Sequence, residues 1–232
     1  MLARTTFDLQ VRTSKSQVQR VESAVVAKRY NQYCPIAHGL DLVGERWSLL
    51  VVRELLEHGQ LRYSDLHGQL GGCGTNILAA RLKELERGGV VRRRRLEPPA
   101  ASTVYELTEY GQGLRAVMHQ LAHWGARSLG PPSADDLEPG WLVGALRMAF
   151  PPAATGACVE LRIGDELASL VDGEVRAGPA EQPDAVVSGD AAGFYRLVVD
   201  RDLDAVSVRG SRTAVRRVLE TLPQTVSANA VS

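Results

Sequence analysis

Cysteine is scarce in this chain. Cys34, Cys73 and Cys158 are the only three, an odd number with no CxxC spacing, which argues against both a disulfide framework and a structural zinc site. The N-terminus has no signal-peptide pattern, so a reducing cytoplasm is the expected compartment. No apolar run approaches the roughly 20 residues that a membrane span requires. The chain also lacks a nucleophile elbow, a P-loop and a dinucleotide fingerprint, and no pair of carboxylates stands in a catalytic context. An enzyme is therefore not expected, and no cofactor is implied.

What is present is enough material for two domains. At 232 residues the chain exceeds one small domain and can bury two cores. Its net charge of zero conceals an asymmetry: residues 1–130 carry 18 Lys and Arg against 12 Asp and Glu, and residues 131–232 carry 9 against 15. A basic half joined to an acidic half points to contact with a polyanion by the first alone.

Hydrophobic spacing sets the elements. Val18, Val21 and Val25 fit a short helix over 14–29. A helix through Ile36, Leu40 and Val43 is followed by an apolar helix from Trp47 to Leu56. Ser64 reads as the N-cap of a short helix through Leu66 and Leu70, and Gly71-Gly72-Cys73-Gly74 can only turn. The helix from Thr75 to Arg87 buries Leu78, Leu82 and Leu85 at i, i+4 and i+7, and its other face carries small and basic residues. Val90–Leu96 and Thr103–Leu107 are two strands joined by a six-residue turn, a hairpin. Thr108 caps a long helix whose Leu114, Val117, Leu121 and Trp124 form a narrow coiled-coil-like seam that needs a partner.

Helix, short helix, turn, helix and hairpin is the order of a winged helix, in which the last helix enters the major groove of DNA and the hairpin meets the backbone. Several motifs in order then resemble the HxlR family of bacterial transcriptional regulators. These are Cys34-Pro35-Ile36-Ala37, Gly44-Glu45-Arg46-Trp47-Ser48-Leu49-Leu50, Arg53-Glu54-Leu55, Arg81-Leu82-Lys83-Glu84-Leu85-Glu86 and Tyr105-Glu106-Leu107-Thr108. The resemblance implies a homodimer built on terminal helices, with Leu114, Val117, Leu121 and Trp124 at its interface, and Thr75–Arg87 as recognition helix. Thr75, Asn76, Ala79, Arg81 and Lys83 are the expected contacts to double-stranded DNA from that helix. Two departures from the family concern Gly74, where the family commonly has Ser, and the wing tip Ala100-Ala101-Ser102, where it commonly has Arg.

Arginine is instead concentrated in Arg92-Arg93-Arg94-Arg95. Strand residues alternate faces, so about half of the run can meet one DNA surface, and Arg93 and Arg95 are the expected pair. The alternative for the run is a charged, solvated strand edge, and for Arg81 a salt bridge between helices. Cys34 precedes Pro35 at a helix N-terminus, where the dipole can acidify a thiol. It is read either as a redox sensor, as in some relatives, or as a small buried side chain. His119 and His123 stand at i, i+4 without the adjacent glutamate of a zincin motif, so packing or a dimer contact is expected and no metal.

The second half opens with an apolar helix (Trp141 to Phe150) and continues as a meander. Cys158–Ile163 alternates, Gly164-Asp165 and Asp172-Gly173 are hairpin turns, and a third strand begins at Glu174. Ala185–Val187 and Val206–Val208 are strands, each followed by a helix, Ala191–Val199 and Thr213–Leu222. Leu146-Arg147-Met148-Ala149-Phe150, Val159-Glu160-Leu161-Arg162-Ile163, Pro183-Asp184-Ala185-Val186-Val187-Ser188-Gly189-Asp190 and Val206-Ser207-Val208-Arg209-Gly210-Ser211 resemble bacterial sterol-carrier-protein-like domains. Such domains often enclose an apolar tunnel. The resemblance implies an effector pocket over Leu142, Leu146, Phe150, Leu161, Phe194 and Leu197, and the sequence equally permits a filled core.

The expected fold class is α+β: an N-terminal winged helix-turn-helix followed by a small sterol-carrier-like domain. Its divisions are an extension at 1–27, the DNA-binding and dimerisation domain at 28–130, a linker at 131–140, the second domain at 141–223 and a tail at 224–232. The function that follows is a sequence-specific DNA-binding transcriptional regulator, a repressor modulated by a small hydrophobic ligand. The alternatives are a redox-sensing regulator acting through Cys34, and a hydrophobic-ligand carrier with a secondary DNA-binding domain.

Overall fold

The computed structural model describes residues 30–133, 136–153 and 155–222. The expected helix over 14–29 and the expected extension and tail lie outside them. The chain divides into two units, Met1–Asp41 and Leu42–Ser232. Helix α1 (Pro35–Val43), whose residues up to Asp41 belong to the first, starts on proline, whose fixed φ and missing N–H suit a first helical turn. The Cys34 carbonyl accepts the first bond, from the His38 N–H at 2.9 Å.

In the second unit, α2 (Ser48–His58), β1 (Gln60–Arg62), α3 (Tyr63–Gln69), α4 (Thr75–Arg87), β2 (Val91–Arg95) and β3 (Thr103–Leu107) form the helix-turn-helix and its wing. Leu78, Leu82 and Leu85 of α4 are buried against Val51, Val52 and Leu55 of α2 and against Leu66 and Leu70. Each such leucine contributes about 1.5–3 kcal/mol by leaving water. The turn between α3 and α4 passes through Gly72 at φ 82°, a conformation that costs a side-chain-bearing residue and not glycine.

Three details depart from the sequence expectation. Helix α3 begins at Tyr63, so Ser64 is inside it, and the Asp65 carboxylate takes the cap by accepting the Arg62 N–H at 3.1 Å. Strand β1 adds a third strand to the wing, in the order β1-β3-β2; three residues are too few to show alternation. Thr108 caps only the one-turn helix α5 (Glu109–Gln112), accepting the Gly111 N–H at 3.0 Å, and Gly113 separates it from α6 (Leu114–Leu129).

A second core begins at α7 (Trp141–Ala149) and includes β4 (Cys158–Ile163), β5 (Glu166–Val171), β6 (Glu174–Ala177), β7 (Ala185–Gly189), α8 (Ala191–Val199), β8 (Ser207–Gly210) and α9 (Arg212–Glu220). The sheet runs β6-β5-β4-β7-β8, with β4 and β7 parallel and the other pairs antiparallel. The β5–β6 hairpin turns at Asp172 and Gly173, both with positive φ, at 50° and 84°, as a tight primed turn demands. Val159, Leu161 and Ile163 alternate into one face and meet Leu142, Leu146, Phe150, Leu197, Val215 and Leu219. On the other face Glu160 is buried, held by the Arg162 guanidinium and by the Ala180 N–H at 3.0 Å. Asp190 and Ser211 cap α8 and α9 through the N–H groups of Gly193 and Ala214. The architecture is mixed α/β with a winged helix-turn-helix region. Among the described residues, no helix is long and apolar enough to cross a membrane.

Gly111 sits where α5 crosses Val90, the residue before β2. A Cβ there would run into the carbonyl oxygen of Val90 and press on Leu107. We expect Gly111→Ala to destabilise the fold by about 2–4 kcal/mol through backbone displacement. Urea unfolding of the two proteins measures it, and equal midpoints would show that the crossing can relax.

Candidate nucleic-acid interface and the adjoining cavity

The face of α4 opposite its leucines is open. Thr75, Asn76, Ala79 and Lys83 are all exposed, which leaves small and polar groups on a surface a helix can press against a groove. Gly74 is the N-cap and supplies no side-chain bond; the Ile77 N–H turns back to the Gly74 carbonyl at 3.0 Å, which leaves the N–H groups of Thr75 and Asn76 to an anion. Arg81 does not share this face. Its side chain is only 12% exposed and lies 2.7 Å from Glu84 and 3.3 Å from Glu45. It ties α4 to the segment before α2, because position 81 lies at the edge of the buried stripe and three residues from a carboxylate. The expected DNA contact by Arg81 gives way to the ion pair.

In the wing the strand pleat sorts the four arginines. Arg92 lies 2.7 Å and Arg94 3.2 Å from the carboxylate of Glu106, and Arg94 also donates to the Gln60 side chain at 2.7 Å. Burial works to raise the Glu106 pKa, but the hydrogen bonds and charges of the two arginines outweigh it and hold the carboxyl below its ordinary range. Arg93 and Arg95 pair in register with Tyr105 and Thr103, on the same sheet face as Val91 and Leu107. Both are exposed, and among the described residues neither has a carboxylate partner. Two guanidinium charges of the run are thus spent within the fold and two are not.

Helix α6 exposes three of the four residues expected to form a seam. Val117, Leu121 and Trp124 are 52%, 40% and 71% exposed, with Tyr110 nearby in sequence at 59%. Leu114 is different, being half-buried against the winged-helix core. In the first unit, Cys34 is half-buried and its thiol is free.

The other side of α6 meets α7. The buried rings of His119 and His123 reach the last carbonyls of α7: Nδ1 of His119 lies 2.7 Å from the Met148 oxygen, and Nε2 of His123 lies 2.8 Å from that of Ala149. A carbonyl can only accept, so those two nitrogens carry the protons. The Tyr195 hydroxyl of α8 donates to the Ala126 carbonyl of α6 at 2.6 Å. Between the three helices lies a cavity of about 680 Å³, walled by Ala122 and Ala126, Trp141 and Ala145, and Phe194 and Tyr195 among others. Of the pocket residues expected from the sequence, Phe194 lines it. Leu142, Leu146, Phe150, Leu161 and Leu197 are packed in the second core instead, because their sides of the helices and strand face one another. The sequence predicts packing or a dimer contact for the histidines and a pocket within the second domain, but neither the carbonyl acceptors nor a cavity against α6. The i, i+4 spacing of the histidines was visible, but their acceptors are more than 25 residues away.

A helix-turn-helix followed by a β wing defines the winged-helix class of DNA-binding proteins. Residues 42–132 match the HxlR-like helix-turn-helix family. An uncharacterized HTH-type transcriptional regulator of Synechocystis sp. is 40% identical over 91 residues, 38% of this chain and 67% of that one. YvaP of Bacillus subtilis, likewise described, is 30% identical over 106 residues, 45% of this chain and 97% of its own. The solved reduced form of the transcriptional regulator YodB from B. subtilis is 30% identical, covers 44% of this chain and 100% of that one, and has a TM-score of 0.38. The chain belongs to the HxlR-like family and is an HTH-type transcriptional regulator.

The junction between α6 and α7 has a pH dependence of known sign. Burial lowers the pKa of His119 below its ordinary 6.5, with Arg115 and His123 adding to the effect and the bond to Met148 opposing it. The unfolded chain therefore takes up this proton at higher pH than the folded one, and stability falls as pH drops below about 6.5 until the folded group also titrates. His119→Gln keeps a donor and loses the titration. Its melting temperature between neutral and mildly acidic pH should fall less than that of the wild type; parallel profiles would remove His119 as the cause.

Proposed function

We propose that the protein is a sequence-specific repressor that binds double-stranded DNA as a homodimer and is tuned by a small apolar effector. The recognition helix is α4, with Thr75, Asn76, Ala79 and Lys83 facing the major groove, and the wing clamps the phosphate backbone through Arg93 and Arg95. The observation that carries this reading is the sorting of the wing arginines, since a strand that merely needed solvating would not leave one face uncompensated while neutralising the other. One recognition helix per chain and the exposed stripe of α6 support a dimer on a pseudo-palindromic site with half-sites about one helical turn, roughly 10 bp, apart.

Salt dependence tests the clamp. Arg93→Ala with Arg95→Ala should flatten the slope of log K against log salt on duplex DNA by about two, one phosphate contact each, and weaken binding to all sequences alike. Arg92→Ala with Arg94→Ala should change that slope less. Equal effects of the two pairs, or a change in base preference from the first, would reject the backbone assignment.

The dimer is tested separately. Leu121→Glu places a charge in the centre of the α6 stripe, where pairing would bury it at a cost of several kcal/mol. Light scattering should find this variant monomeric and titration should find its DNA affinity reduced; an unchanged dimer would place the interface elsewhere.

A further inference from the structure

The cavity among α6, α7 and α8 is selective by what its wall lacks. Its volume of about 680 Å³ falls within the roughly 300–1,000 Å³ of small-molecule sites. Trp141 and Phe194 meet edge to face in its wall, with ring centroids 5.7 Å apart. Among the described residues no Lys or Arg side chain lines it, and its one carboxylate is Asp136. A fatty acid or a phosphate ester would find no cation there. The neutral polar side chains of the wall are committed to the fold, His123 to the Ala149 carbonyl and the Tyr195 hydroxyl to Ala126. Asp136 is exposed, so it stands where the cavity meets solvent. Its Oδ2 accepts from the Ser133 N–H at 2.8 Å and from the Ser133 hydroxyl at 2.6 Å, which orients the carboxylate and holds its pKa below the ordinary value. A wall that carries aromatic rings and a single carboxylate favours a cation over an anion, through the ring faces and through the charge.

We infer that the cavity binds a lipophilic amine, its polycyclic or branched apolar body between the three helices and its protonated nitrogen at Asp136. The inference rests on the proposed effector-tuned regulator and names the effector's class. Helix α6 forms one wall, and its outward side is the proposed dimer seam, so the bound ligand and the pairing of the recognition helices share one element.

The test uses the full chain and three probes of one shape: pyrenemethylamine, pyrenemethanol and pyrenecarboxylate, titrated at neutral pH by calorimetry and pyrene anisotropy. The amine should bind about tenfold more tightly than the carboxylate, a difference of about 1.4 kcal/mol, with the alcohol between them. Asp136→Asn should shrink the amine's advantage over the alcohol and leave the alcohol's affinity unchanged. Ala145→Trp, which fills the cavity, should weaken all three. A carboxylate that binds as well as the amine, indifference to Asp136→Asn, or no binding by any probe would overturn the inference. Duplex DNA is titrated onto the same preparations. Failure there would refute the DNA-binding reading alone, and an intact DNA affinity with the probe order reversed would refute the ligand class alone.

Discussion

The pair of hydrogen bonds from His119 and His123 to the end of α7 is the contact on which the arrangement of the second unit depends. The last carbonyls of a helix have no partner in the helix itself, and a buried acceptor left without a donor costs about 1–3 kcal/mol. Two histidines one turn apart on α6 meet two successive carbonyls of α7. Sliding or rotating one helix against the other would uncover both at once. Tyr195 repeats the device from α8, closing its hydroxyl on the Ala126 carbonyl. Met148, whose carbonyl takes one of these bonds, also packs its side chain against the winged-helix core. The winged-helix core and the sheet core are thus joined by directional bonds as well as by apolar contact.

A different economy governs the wing. One carboxylate, Glu106, serves two arginines on a single sheet face, and on the other face Arg93 and Arg95 have no carboxylate partner among the described residues. The strand pleat makes this separation automatic, since neighbouring residues cannot share a face. The same four-residue run therefore stiffens the hairpin from one side and supplies positive potential on the other. Arg81, by contrast, is withdrawn from the open side of α4 by Glu45 and Glu84, which leaves that side to Lys83 and to small polar groups.

The local periodicities were legible in the sequence. Leu78, Leu82 and Leu85 identified the buried side of α4, the alternation in Cys158–Ile163 identified a strand, and Asp172-Gly173 identified the β5–β6 turn. The parity of the arginine run could be read as two faces, and the register against β3 adds that Glu106 occupies one of them. What could not be read was decided by residues far apart in the chain. The histidine spacing has several meanings until Met148 and Ala149 are placed opposite it. The apolar residues of α7 and β4 give no sign of whether they fill a core or line a void, and here nearly all of those expected to line one fill the core. Strand β1 is three residues long and is a strand only because β3 lies beside it.

The cavity itself has a compositional cause. Ala122 and Ala126 on α6, and Ala145 and Ala149 on α7, stand at i, i+4 on the walls, so each helix presents a file of methyl groups toward the space. Leucine at those positions would fill it and bury more apolar area at about 25 cal/mol per Å². The unfilled volume is thus stability forgone, in a region whose neighbouring core leaves none of its leucines exposed. A ligand that occupies the space recovers part of that burial. It can alter DNA affinity only to the extent that it prefers one setting of α6 over another. The bonds to Met148, Ala149 and from Tyr195 make such settings discrete, because a helix anchored at three carbonyls either keeps those bonds or exchanges them together.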